Sequence, residues 1–209
     1  MKPKANSFTI KKLLRRLWGK ADRQIRRLTG IKDMGDGKSS VWRIATRRYR
    51  GKDWTLPSGS VLRHGDQYLE LHINNERLLT LLDENMPIER TSIIAMREVL
   101  NGLPILAELI TSNKNFINID VLLGITLLHR GLGRIGFKVV DMKPGLFRTV
   151  TSWYERWLLA VFHQGGFRNL KSYRYKLTPK YVVITRQDLM RRFPDTCARE
   201  KPPYETAKG

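Results

Sequence analysis

The stretches that decide the fold class are VWRIATRRY at residues 41–49 and QYLELHI at residues 67–73. Polar and apolar side chains alternate along the first, as in a strand with one face on a hydrophobic core. Two shorter strand patterns lie between them, at residues 54–56 and 60–63. Turn-forming residues separate these segments and occur at Pro57-Ser58-Gly59 and His64-Gly65-Asp66. The sequence therefore predicts a small antiparallel meander.

Downstream of the meander, helical and strand patterns are mixed. Apolar spacing predicts helices over residues 76–84 and 90–111, with a kink or break near residues 101–102 because Pro104 lies inside the second. Further strands are expected at residues 121–126, 137–142 and 181–185, and further helices at residues 127–134, 146–162 and 187–193. This order predicts one α+β domain over residues 41–193, with a mixed sheet and several amphipathic helices. A flexible tail is expected at residues 194–209.

Upstream of the domain, residues 8–29 have the pattern of a basic amphipathic helix. Apolar residues follow the i, i+3, i+4, i+7 rule at Ile10, Leu13, Leu14, Leu17, Trp18, Ala21, Ile25 and Leu28. The opposite face carries Lys11, Lys12, Arg15, Arg16, Lys20, Arg23, Arg26 and Arg27. Gly30 is a natural stop, and residues 33–40 are expected to be a flexible link. Residues 1–40 are thus predicted to be a helical arm.

The charge of the chain is large and uneven. Lysine and arginine number 39 against 19 aspartates and glutamates, a formal net charge of +20. The first fifty residues contain sixteen of the basic residues and three acidic ones, so they hold +13 of that charge. Such an excess favours an anionic partner, either a membrane surface or nucleic acid. A lone Cys197, no apolar run of membrane-spanning length and no signal-peptide pattern predict a cytoplasmic protein.

Two cofactor motifs match only in part. Gly37-Lys38-Ser39 resembles the end of a phosphate loop, but Lys32 stands where that motif requires its first glycine. Residues 131–136, GLGRIG, match G-x-G-x-x-G by letter, but a strand is predicted after them, so these glycines are expected at a helix end. The four histidines lack the spacing of a metal site. We therefore expect no cofactor and no metal.

Anion-binding side chains remain as the candidate site. His72, Asn75 and Arg77 follow the end of a predicted strand, and Arg130 and Arg134 are one helical turn apart. Arginine presents a planar fork that suits phosphate and carboxylate. The five residues are predicted to converge on an oxyanion. Alternatively, Arg77 and Arg134 pair with Glu70, Glu98 or Asp141 and brace the fold.

From residue 41 onward the chain resembles the YkoP-like domain family of spore-forming bacteria, which is also found fused to polysaccharide deacetylases. The matching phrases are RRYRG (47–51), LPSGSVLRHGD (56–66), LHINNERLL (71–79), GITLLHRGLGRIGF (124–137) and WYERWLLAVFH (153–163). The family pattern centres on the five candidate site residues and Gly136-Phe137. The resemblance implies a cell-envelope or sporulation setting with neighbours that handle glycans, but it supplies no reaction. The basic arm lies mostly outside these phrases, and no deacetylase part is present.

Three functional hypotheses follow. The first is a peripheral membrane-surface protein, held at the inner face of the membrane by the helix at 8–29, that handles a phosphate-bearing or glycan-linked envelope precursor. The second is a nucleic-acid-binding protein whose Tyr173 and Tyr175 stack on bases. The third is a transferase or hydrolase with His72 as its acid or base. The helix can also dock on its own domain. The oligomeric state stays open.

Overall fold

The structure, a computed structural model, describes residues 24, 26–35, 40–81, 88–126, 129, 131–143, 145 and 178–194. Its strands are β1 (Lys32–Asp33), β2 (Trp42–Arg48), β3 (Trp54–Thr55), β4 (Val61–Leu62), β5 (Gln67–Ile73), β6 (Val121–Thr126), β7 (Lys138–Asp141) and β8 (Lys180–Thr185). Its helices are α1 (Asn75–Leu81), α2 (Ile88–Ser112) and α3 (Arg186–Arg192), with 3-10 helices at Lys114–Phe116 and Leu132–Ile135. The expected α+β class is confirmed. The predicted helix at 146–162 and nearly all of the tail lie outside the described residues.

Six strands form one mixed sheet in the order β1-β2-β5-β6-β8-β7. All neighbouring pairs are antiparallel except β5 and β6, which are parallel. The predicted meander is therefore modified: β2 pairs directly with β5, while β3 and β4 form a separate two-stranded sheet between them in sequence. The predicted link also begins differently. Lys32 and Asp33 pair with β2, and Met34 is buried in the core.

Helices α2 and α3 cover one face of the sheet, which we call the core face. Alternation in β5 turns Leu69 and Leu71 to this side, where they pack in one apolar cluster with Leu103 and Leu106 of α2. The other face is divided. Over β6 and β8 it is apolar, and residues of the β3–β4 hairpin such as Leu62 pack on it. Over β1, β2 and β5 it carries charged side chains, and we call this part the charged face.

Helix α2 runs from Ile88 to Ser112 without a break near residues 101–102, which leaves a kink as the remaining form of that prediction. Pro104 removes the helical hydrogen bond to the carbonyl of Leu100, a residue on the exposed side, where water can replace it. The glycine at position 102 is explained by packing. A Cβ there would lie 2.5 Å from Cδ1 of Trp42 and 2.7 Å from Oγ of Ser40, so glycine permits the close approach of α2 to the sheet.

No helix within the described part of the chain has the length and apolar character that crossing a membrane requires.

Candidate functional site

The charged face is built by strand register. Arg43 of β2 stands opposite His72 of β5 and opposite Asp33 of β1. Because side chains alternate along a strand, Arg47, Glu70 and His72 project from the same side of the sheet. Arginines and carboxylates thus lie side by side across three neighbouring strands.

Asp33 is the hub of this face. Its Oδ1 accepts from Nε of Arg43 at 2.6 Å, and its Oδ2 accepts from Nη1 of Arg26 at 2.6 Å. The Arg43 side chain is only 4% exposed and also donates to Glu76 at 3.1 Å. Burial by itself raises the pKa of Asp33, but the hydrogen bonds and charges of Arg43 and Arg26 outweigh it and lower that pKa from 3.8. The carboxylate therefore stays ionised and compensates two guanidinium groups.

Glu70 forms a second group on this face. Its Oε2 accepts from Nε of Arg47 at 2.8 Å and lies 3.0 Å from Nε2 of His72. Nε2 makes no hydrogen bond of good geometry, so we treat the second contact as electrostatic. Burial raises the pKa of Glu70, whereas the contacts with His72 and Arg47 lower it, and the net effect is a pKa below 4.5. His72 is thus engaged with its own strand neighbour.

The C-terminal end of the basic helix is attached to the charged face. Gly30 has a φ of 67°, and the N–H of Ile31 donates to the carbonyl of Arg26 at 3.2 Å, which is the Schellman arrangement. The predicted stop at Gly30 is confirmed. Arg47 donates to the carbonyl of Thr29 at 2.6 Å. The helix end is therefore held by Arg26 and Arg47, while Leu28 is 87% exposed.

The residues predicted after β5 have mixed surroundings. Asn74 caps α1, because its Oδ1 accepts from the N–H of Arg77 at 3.1 Å, and its Nδ2 donates to Asp33 at 3.3 Å. Nη2 of Arg77 donates to Glu98 of α2 at 3.0 Å, as in the bracing alternative. The buried Nε of Arg77 has no hydrogen-bond acceptor within the described residues. Arg77 is thus only partly satisfied by the protein.

The second 3-10 helix, Leu132–Ile135, lies between two glycines with positive φ, 91° at Gly131 and 103° at Gly136. We call residues 131–136 the glycine turn. Of the helix predicted over residues 127–134, the structure describes this 3-10 helix, and β7 follows it, as expected for glycines at a helix end. Arg130 lies outside the described residues, so its shared helical face with Arg134 stays a prediction. Arg134 is exposed.

The structure thus divides the predicted anion-binding residues. His72 lies on the charged face, whereas Arg77 contacts α2, which covers the core face. Arg134 lies in the glycine turn, which comes after β6 and before β7 in the sequence. The side chain of Asn75 and all of Arg130 lie outside the described residues. Their convergence on one oxyanion stays a prediction.

Most residues predicted to contact a membrane also lie outside the described part of the chain. These are Lys11, Lys12, Arg15, Arg16, Trp18, Lys20 and Arg23. Arg26 is engaged with Asp33, and Arg27 is exposed. Within the described residues, no three His, Cys, Asp or Glu side chains are grouped to hold a metal ion.

Sequence reasoning missed Asp33, Arg43, Arg47, Asn74 and Arg192. A signal existed for two of them: Arg43 and Arg47 recur at even spacing within a predicted strand, on the side opposite its apolar residues. Charges at period two indicate a cross-strand charge pattern when the neighbouring strand carries opposite charge. The others depend on contacts between distant parts of the chain.

The chain matches a family model described as the YkoP domain over residues 11–193. It is also similar to "Uncharacterized protein YkoP" of Bacillus subtilis (strain 168), with 29% identity over 111 residues. That alignment covers 53% of this chain and 61% of the relative, which is less than two thirds of its length. No solved structure matches. The family match begins within the basic helix, so the expectation that the arm lies mostly outside the family is wrong. The chain belongs to the YkoP domain family.

Proposed function

We propose that this chain is a peripheral membrane-surface protein, held on anionic lipid at the inner face of the membrane by its N-terminal basic helix. In this role it handles a phosphate-bearing or glycan-linked precursor in a cell-envelope or sporulation setting. Membrane attachment is the part that the described residues support best.

The observation that carries the proposal is the orientation of the helix end. Arg26, on the polar side of the predicted helix, contacts the sheet at Asp33, while Leu28, on the apolar side, is 87% exposed. A helix that used its apolar residues to dock on its own domain would have the opposite orientation at this point. Leu28 is therefore available to a hydrocarbon surface.

Charge complementarity favours anionic lipid as that surface. Within the described part of the first fifty residues, Arg26, Arg43 and Arg47 bind carboxylates of the protein. Most of the other basic residues in the first fifty lie in the predicted helix or, like Arg27 and Arg48, are exposed. Each basic residue near an anionic leaflet contributes about 1 kcal/mol to binding. An amphipathic helix with Trp and Leu on one side and Lys and Arg on the other suits the interface of such a membrane.

Vesicle sedimentation tests the proposal. The full chain should sediment with vesicles of phosphatidylcholine and phosphatidylglycerol, bind weakly to phosphatidylcholine alone, and lose affinity as salt is raised. Leu28→Asp should weaken binding roughly tenfold, because it removes a buried Leu from the interface and adds a negative charge.

Ile117→Asp is the matched control, since Ile117 is an exposed apolar residue in another part of the fold. It should leave vesicle binding unchanged. Equal losses from the two variants, or no loss from Leu28→Asp, would contradict the proposal. A gel shift with duplex and single-stranded DNA on the same protein covers the nucleic-acid alternative, which would be favoured by tight binding there and none to vesicles.

A further inference from the structure

The glycine turn and the end of α3 bring together two arginines that are far apart in sequence. A Cβ on Gly136 would lie 2.6 Å from Nε, 3.0 Å from Cδ and 3.3 Å from Cζ of Arg192. The Arg192 side chain therefore lies across the backbone of Gly136. Arg134 belongs to the same turn, two residues earlier, and is exposed.

These two arginines differ from the arginines that make ion pairs or backbone hydrogen bonds inside the fold, and they share their exposure with others such as Arg63 and Arg97. Arg26, Arg43, Arg47 and Arg77 each bind a carboxylate, and Arg186 donates to backbone carbonyls. Within the described residues, Arg134 and Arg192 have no carboxylate within ion-pair distance. No described carboxylate compensates their positive charges, and both side chains are exposed.

The backbone around them leaves room for a ligand. Gly133, the neighbour of Arg134 in the turn, would place a Cβ in open space. The turn leads into the start of β7, and α3 follows directly on the end of β8. Because β7 and β8 are antiparallel neighbours, the turn and this helix meet at the same end of the sheet.

We propose that Arg134 and Arg192 form a phosphate-binding site on the glycine turn. One planar guanidinium group on the turn and a second that lies across Gly136 from α3 offer donors that match the several acceptor oxygens of a phosphate group. The site deepens the proposed handling of a phosphate-bearing precursor and rests on that proposal for its biological setting. It makes Arg192 an anion-binding residue, a role for which the sequence pattern had indicated His72. Gly136 positions Arg192 because a glycine has no Cβ, and the Arg192 side chain lies where that atom would be.

Isothermal titration of the full chain with inorganic phosphate, at constant ionic strength in a phosphate-free buffer, tests the site. Arg134→Gln and Arg192→Gln should each weaken phosphate binding roughly tenfold, the loss expected from one charge-assisted interaction. Arg191→Gln is the matched control. Arg191 is the neighbour of Arg192 on the same helix but contacts Asp188 at 3.7 Å, and its replacement should change affinity by less than about twofold.

Melting temperatures without phosphate separate binding from folding. The three variants should melt close to the parent chain, and phosphate should stabilise only the parent and Arg191→Gln. Equal losses of affinity in all three variants would show a diffuse charge effect and overturn the proposal. A large fall in the melting temperature of Arg192→Gln without phosphate would identify the residue as structural and would also overturn it.

The source of the phosphate is tested with vesicles. Phosphatidic acid exposes a phosphate monoester, whereas phosphatidylserine offers anionic charge without one. If the ligand is a lipid headgroup, Arg192→Gln should lose a preference for phosphatidic acid over phosphatidylserine at equal surface charge. If it is a soluble phosphate compound, that preference should be absent while phosphate binding still depends on both arginines. Loss of vesicle binding in Leu28→Asp with unchanged phosphate affinity keeps the two proposals distinguishable.

Discussion

The charged face and the glycine turn treat arginine in opposite ways. On the charged face, Arg26, Arg43 and Arg47 each donate to a carboxylate at 2.6–2.8 Å, and Asp33 serves two of them. In the glycine turn and the adjoining end of α3, Arg134 and Arg192 are exposed and bind no carboxylate of the described residues. In a strongly basic protein the two sets look alike in sequence.

The difference teaches how to separate structural from ligand-binding arginines. A guanidinium group that is buried requires a partner, because an uncompensated buried charge costs several kcal/mol. An exposed one is solvated and has no such requirement, so its position is free to serve a ligand. The excess positive charge can thus bind an anionic ligand only where the protein does not neutralise it. Much of the charged face is therefore excluded as an anion-binding surface.

Removing the hub carboxylate should have the largest effect on this comparison. Asp33→Asn removes the carboxylate that lies 2.6 Å from Arg43, which is almost fully buried, and leaves the partly exposed Glu76 in place. We expect a loss of about 3 kcal/mol in the free energy of unfolding, measured by urea denaturation. Asp120→Asn, at an exposed aspartate, is the control and should change it by less than about 0.5 kcal/mol. A small effect of Asp33→Asn would remove the structural side of the comparison.

A smaller loss of stability is expected for the ion pair between Arg77 and Glu98, in which the arginine is less buried than Arg43. Glu98→Gln takes the carboxylate from Arg77, whose Nε already has no acceptor within the described residues. The free energy of unfolding should fall by about 1–2 kcal/mol in the same denaturation measurement. Glu108→Gln, at an exposed glutamate on the same helix, is the control. Unchanged stability in Glu98→Gln would place Arg77 with the ligand-binding arginines instead.

Acid should weaken the charged face through Glu70 and Asp33. Their pKa values in the folded protein lie below the ordinary 4.5 and 3.8, so the folded state holds these protons less tightly than the unfolded state. The resulting stabilisation is present above the unfolded pKa and is lost as pH falls through the folded pKa. Between pH 7 and the acid range, melting temperature should therefore fall less in Glu70→Gln than in the parent. Parallel melting curves for the two proteins below pH 4.5 would argue against this contribution.

The smallest effect is predicted for the unpaired arginines. Arg134→Gln and Arg192→Gln should each change the free energy of unfolding by less than about 0.5 kcal/mol in the absence of phosphate, because neither breaks an ion pair of the described residues. The same urea denaturation experiments compare the stability contributions of the charged face with those of these two arginines on one scale. If these variants lose as much stability as Asp33→Asn, the two regions do not differ and the comparison fails.

Much of the fold was predictable from local pattern. The strands β5, β6 and β8 and the helices α1 to α3 lie within a few residues of their expected positions, because period-two and period-3.6 spacing is a property of neighbouring residues. The errors are at places where distant contacts override local propensity. β1 is too short to have a pattern of its own, and Pro104 is accommodated because packing on the sheet stabilises α2.

The candidate site was less predictable. Arg134 was identified from sequence, and so were the carboxylates that the bracing alternative offered to Arg77. Arg192 was not, because nothing near it in sequence distinguishes it from Arg191. Its contact with Gly136 arises only when α3 packs beside the turn that follows β6.

By itself, the sequence determined the α+β class, the basic amphipathic pattern at residues 8–29, the stop at Gly30 and the excess of positive charge. These depend on composition and on spacing within a few turns or strands. Only the tertiary structure decided which arginines are neutralised, since strand register brings Asp33 to Arg43 and Glu70 to Arg47. It also decided the direction of Leu28 at the helix end. The reason is that an ion pair is set by distance in space, and distance in space depends on strand order and helix packing rather than on neighbouring letters.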